Sequence, residues 1–174
     1  PVDASLVTAV SWAQTIVEIP GATGPLPPAL VDKASHVIAL AFCACVHDND
    51  AVRACASAVL VKMLEYVTGD KVKEGIGREC EGLVAAAAAA AAAGNATLAF
   101  AQWSPLQPKL LKIIDHLTSL AGPDLSGQIV SAASQMLGNF PCAMKLSCAL
   151  LIARMANAPA ASDASSSAAA PFDP

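Results

Sequence analysis

Apolar residues recur along this chain at spacings of three and four rather than two, which is the repeat of a helix face. Leu6, Val10, Ala13 and Val17 form the first such stripe, and Pro20 with Gly21 ends it. After a loop, GATGPLPP, a second helix is expected over 28–46, with Pro28 in the first turn, where its missing N–H is no loss. Beyond His36 this helix is apolar on nearly every face, which predicts a central, buried position. HDND interrupts the pattern. Asp48 or Asn49 can cap a third helix that carries Val52, Ala56, Val59, Met63 and Val67 on one stripe and turns Arg53, Ser57 and Lys62 elsewhere. Gly69 closes the hairpin. A fourth helix, 70–93, runs through Val72, Ile76, Cys80, Leu83 and Val84 into nine consecutive alanines. Gly75, Gly77 and Gly82 weaken it by up to about 1 kcal/mol each relative to alanine, and close helix packing is the use expected of them.

From Asn95 the order repeats. A short segment, NATLAFAQW, leads to a helix over 107–120, a break at AGPD, a helix over 125–137 and a last one over 141–157. Pro25, Leu26, Pro28, Leu30, His36, Leu40 and Ala41 match Pro105, Leu106, Pro108, Leu110, His116, Leu120 and Ala121. Upstream, DASL parallels NATL and Trp12 parallels Trp103; downstream, Val52, Ala56, Ser57 and Leu60 parallel Ile129, Ala133, Ser134 and Leu137. The expected fold is all-α and internally duplicated, with about seven helices in an α-solenoid-like or pseudo-symmetric bundle. It forms one domain over 1–158, its two copies (3–68 and 95–158) joined by the helix at 70–93, and 159–174 is a low-complexity tail.

Composition sharpens this picture. The chain is 55% hydrophobic but only 4% aromatic, so its mean hydropathy of +0.54 reflects alanine and closely packed helices rather than a greasy core. No apolar run reaches the roughly 18 to 20 residues of a membrane span, so a soluble chain without a transmembrane segment is expected. Pro1 suits either a processed start or a piece of something longer. A net charge of -4 without a basic cluster excludes the phosphate footprint of a nucleic-acid partner.

Candidate chemistry is sparse. No nucleophile elbow, glycine-rich phosphate loop or HExxH occurs, so an enzyme is not expected. The repeat gives His36 and His116 the same place on otherwise apolar helices. The plain account is a hydrogen-bonded core histidine; the alternative is an axial ligand to the metal of a bound tetrapyrrole, directly or through water. Trp12 and Trp103 serve as core anchors or as platforms for the same ligand. In CACVHDND, Cys43 and His47 share a face, but two ligands fall short of a zinc site. Val52 and Arg53 occupy positions that a calcium loop cannot spare, which leaves capping as the role of this turn. Asn95 and Thr97 make a formal glycosylation sequon. Cys43, Cys45, Cys55, Cys80, Cys142 and Cys148 sit mostly in apolar stretches, as buried thiols or as one or more disulfides. A Cys142–Cys148 bridge is excluded, because six residues of helix rise roughly 9 Å.

NATLAFAQW followed by LQPKLLKIID resembles the peridinin-chlorophyll a proteins, light-harvesting proteins of dinoflagellates. DASL to Trp12 with LPPALVDKA repeats the likeness more loosely, and VKEGIGR resembles that family's Val-x-x-x-Leu-Gly-Arg stretch. The resemblance implies a duplicated helical protein of the chloroplast thylakoid lumen that binds chlorophyll and a peridinin-like carotenoid beside photosystem or antenna proteins. The family's histidine pair on the third helix of each half is replaced here by Val59-Leu60 and Ala133-Ser134. Pigment would then sit near His36 and His116, or the chain would accompany a pigment protein. HDNDAVRACASAVL also resembles a HEAT-type helical repeat, which implies a protein-binding scaffold.

Overall fold

The computed structural model describes residues 33–68, 75–93 and 105–158. All regular structure there is helical: α1 (Ala34–Ala44), α2 (Asp50–Thr68), α3 (Gly75–Ala93), α4 (Gln107–Met136) and α5 (Cys142–Ala156), with a 3-10 turn, Leu137–Asn139, before the last. No described helix is long and apolar enough to cross a membrane. Trp12, Trp103, the sequon and the tail lie outside the described residues.

α1 is the hub, packed against α2, α4 and α5. Its all-round hydrophobicity dictates this, because Ile38, Ala39, Phe42, Cys43 and Ala44 are each fully buried and no single neighbour could cover them all. Burying a side chain such as Ile38 or Phe42 stabilises the fold by about 1.5–3 kcal/mol. Cys45 and Val46 end the helix with N–H bonds back to Ala41, Phe42 and Cys43.

α2 buries Val52, Ala56, Val59 and Met63 as its stripe requires, together with Leu60 and Leu64. Two expectations are corrected. Val67 is 39% exposed, because it sits in the last turn of α2, at the end of the stripe. Arg53 points inward and is only 1% exposed; its reach allows the guanidinium to fold back onto the preceding turn.

α3 lays Ile76, Cys80, Leu83, Ala87 and Ala90 on α2 and α4, a strict alternation of four and three. Its glycines are not sites of close approach. Nothing lies within 4 Å of a side-chain carbon built at Gly75 or Gly77, and Gly82 meets only the Lys109 ammonium at 3.8 Å. The seam falls on the apolar positions between them instead, and beyond the exposed Arg78 and Glu81 the outer face carries only Ala85, Ala89 and Ala92.

The expected break at AGPD is present, but as a bend inside α4. Gly122 (φ 67, ψ 178) separates limbs over 107–121 and 123–136. That conformation is open only to glycine, and Pro123 demands an extended residue before it. The segments that read alike are therefore joined differently, by residues 45–49 between α1 and α2 and by Gly122 alone within α4. Val52, Ala56, Ile129 and Ala133 are all buried at matching positions, whereas Ala41 is buried and its counterpart Ala121 is half-buried.

Candidate functional site

His36 lies in the first turns of α1, half-buried, two residues ahead of the fully buried Ile38. Its Nδ1 is closed off from water and has no hydrogen-bond partner among the described residues. A buried ring nitrogen without a partner costs about 1–3 kcal/mol in this state, and Nδ1 makes no second-sphere bond of the kind that usually fixes a ligating histidine to a described residue.

His116 is in a different situation. It is exposed on the first limb of α4, where it helps to hold the carboxyls of Asp115 and Glu79 below their usual range. The larger causes there are hydrogen bonds, from Arg154 to Asp115 (Nε to Oδ1 2.8 Å, Nη2 to Oδ2 3.1 Å) and from Lys112 to Glu79. The expected pair thus divides into one half-buried histidine on an apolar helix and one surface histidine among charges.

The turn between α1 and α2 is the most densely hydrogen-bonded polar feature described. Asn49 caps α2, its Oδ1 accepting the N–H groups of Ala51 (2.9 Å) and Val52 (3.3 Å). Its own N–H donates to Nδ1 of the buried His47 at 3.0 Å. That bond fixes a neutral imidazole with the proton on Nε2. Arg53 donates from Nη1 to the His47 carbonyl and pairs with Asp50. Burial lowers its pKa, while the nearby Asp48 favours the charge. Capping, as the sequence suggested, is what this turn does. No group of three or more His, Cys, Asp or Glu side chains among the described residues can hold a metal ion.

Cys43, Cys45, Cys80 and Cys148 are buried thiols, and Cys55 is half-buried. Burial pushes Cys43 and Cys45 well above the usual thiol range. Cys80 is pushed up to about 12 by burial and by Glu79 and Glu81. Cys148 goes the other way, because the neighbouring Cys43 thiol favours its thiolate.

A cleft of about 710 Å³ opens at the bend of α4, lined by Asp115, Thr118, Ser126, Val130, Arg154 and Asn157 among others. Neither histidine of the repeat takes part. Thr118 and Ser134 donate their hydroxyls to the carbonyls four residues back, both at 2.8 Å. Ser126 lacks that bond, because the residue four back is Gly122, whose backbone has left the helix, and its buried hydroxyl has no partner among the described residues. The Asp115–Arg154 pair on the rim spans residues 39 apart, and no local pattern in the sequence announces it. Arg53 could have been found, because an aspartate three residues ahead is the spacing of a helical ion pair.

No protein-family model, curated protein or solved structure matches this chain.

Proposed function

We propose that this is a non-enzymatic, internally duplicated helical protein that binds or accompanies chlorophyll and carotenoid next to a photosynthetic complex, with His36 as the side chain that meets the pigment. The observation that carries the reading is the imidazole of His36, half-buried on the most apolar helix with a ring nitrogen that no described residue uses. The likeness of NATLAFAQW and LQPKLLKIID to a light-harvesting family supplies the pigment class and the lumenal setting. His116, exposed among carboxylates, is assigned no equivalent ligand role, so the reading takes one histidine-bound pigment rather than two.

The test is isolation of the protein from its native source without denaturant, followed by an absorption spectrum. Chlorophyll and carotenoid bands that co-elute with the chain in constant proportion support the reading, and replacing His36 by leucine should then reduce or shift the chlorophyll band. A spectrum with only tryptophan and tyrosine absorption overturns it.

A helical scaffold without a small ligand is the second reading. It is favoured by the outer face of α3, where Ala85, Ala89 and Ala92 present only methyl groups. A second helix can approach such a surface closely. A native pull-down that returns a colourless monomer with no companion would count against it.

A further inference from the structure

Two neighbouring positions that weaken the fold line the cleft at the bend of α4. The buried hydroxyl of Ser126 has no partner among the described residues. Gly127 stands inside the second limb, where glycine weakens a helix relative to alanine. No close packing explains it, because nothing lies within 4 Å of a side-chain carbon built there. What its bare backbone does is leave the cleft open. The walls come from three segments: Asp115 and Thr118 of the first limb, Ser126, Gly127 and Val130 of the second, and Arg154 with Met155 at the end of α5. A volume of about 710 Å³ lies within the range of small-molecule sites. Of the lining side chains only Asp115 and Arg154 ionise, and their two hydrogen bonds, 2.8 and 3.1 Å, make the rim neutral as a whole.

We propose that this cleft binds a small uncharged organic molecule with an apolar body and a carbonyl or hydroxyl group. A charged ligand would shed water beside a rim without net charge, which repays little of that cost. The apolar body lies against Val130 and Met155, and the polar group bonds to the Ser126 hydroxyl. That hydroxyl is shut off from water in the empty cleft, and rotation to another staggered position turns it towards the ligand. The ligand thus supplies the partner that the fold withholds from Ser126. His36 belongs to α1 and does not line the cleft, so this site is separate from the pigment proposed there.

The experiment titrates the full chain with Nile red, an uncharged dye that carries a carbonyl and whose emission brightens and shifts to the blue in apolar surroundings. A single saturable site is expected, and His36→Leu should leave it unchanged. Gly127→Trp fills the cleft from an exposed helical position and should abolish binding. Ser126→Ala removes one hydrogen bond and should weaken the dye about two- to tenfold. Anilinonaphthalene sulfonate, a negatively charged dye, should bind about tenfold more weakly than Nile red. Should the tryptophan variant not fold, Gly127→Ala decides: it should raise Tm by about 2–4 °C and still weaken the dye. Absence of a saturable site, equal binding by either Gly127 variant, no effect of Ser126→Ala, or a preference for the sulfonate overturns the proposal.

Discussion

Arg53 reaches back six residues to donate from Nη1 to the backbone carbonyl of His47, and in doing so buries a guanidinium beside a largely apolar core. The bond ties the guanidinium to the turn that follows α1. Replacing Arg53 by methionine keeps much of the stem but removes the hydrogen bond from the charged guanidinium, at a cost of about 1.5–3 kcal/mol. Arg53→Ala adds a cavity, for a total of about 2–4 kcal/mol. Urea denaturation should show both as a lower midpoint at unchanged slope.

Asn49 holds the same turn from its other side. Asn49→Ala removes the acceptor for two N–H groups at the start of α2 and should cost about 1 kcal/mol, while Asn49→Asp should be close to neutral. Thermal melts of the two variants, read by circular dichroism, separate the cap from any effect of side-chain size.

Gly122 and Gly77 make a matched pair of opposites. Neither has a neighbour within 4 Å of an added side-chain carbon, so backbone preference alone decides the outcome. Gly122→Ala is forced into a glycine-only conformation and should destabilise by about 1–3 kcal/mol. Gly77→Ala, inside a helix, should stabilise by up to about 1 kcal/mol. Chemical denaturation reads both, and equal signs would contradict the bend.

Much of this architecture could be seen before any coordinates. The helix periodicity, the buried stretch beyond His36, a cap at Asp48 or Asn49 and the break at AGPD all follow from local signals that one segment carries by itself. What could not be seen depends on the third dimension. The direction of Arg53 is set by a carbonyl in the preceding turn, the exposure of His116 by which face of α4 meets α1 and α5, and the Asp115–Arg154 pair by the packing of α4 on α5. The sequence repeat likewise contains no information about whether its halves close by a turn or by a bend. Of the candidate site, the position of His36 on an apolar helix was legible; the isolation of its Nδ1 was not.

Acid should weaken the tertiary ion pairs in a defined direction. The carboxyls of Asp115 and Glu79 are held below their usual values, chiefly by hydrogen bonds from Arg154 and Lys112. In the unfolded chain such groups titrate near about 4. The stabilisation is therefore complete above that pH and is lost as pH falls through the lower folded-state values. The size is small, because Asp115 and Arg154 are half-exposed and screened. A Tm series should show the unaltered chain converging on Asp115→Asn in strong acid, and added salt should narrow their difference at neutral pH.

The alanines of α3 also bear on the order in which the chain folds. Short peptides are rarely helical in water, but a 19-residue segment half built of alanine is near the length and composition at which a helix persists unaided. Such a segment reaches its shape in about 0.1–1 μs, long before distant helices meet. It also stands between α2 and α4 in the chain and packs against both. The chain can thus enter folding with one rod already formed, against which its neighbours on either side assemble.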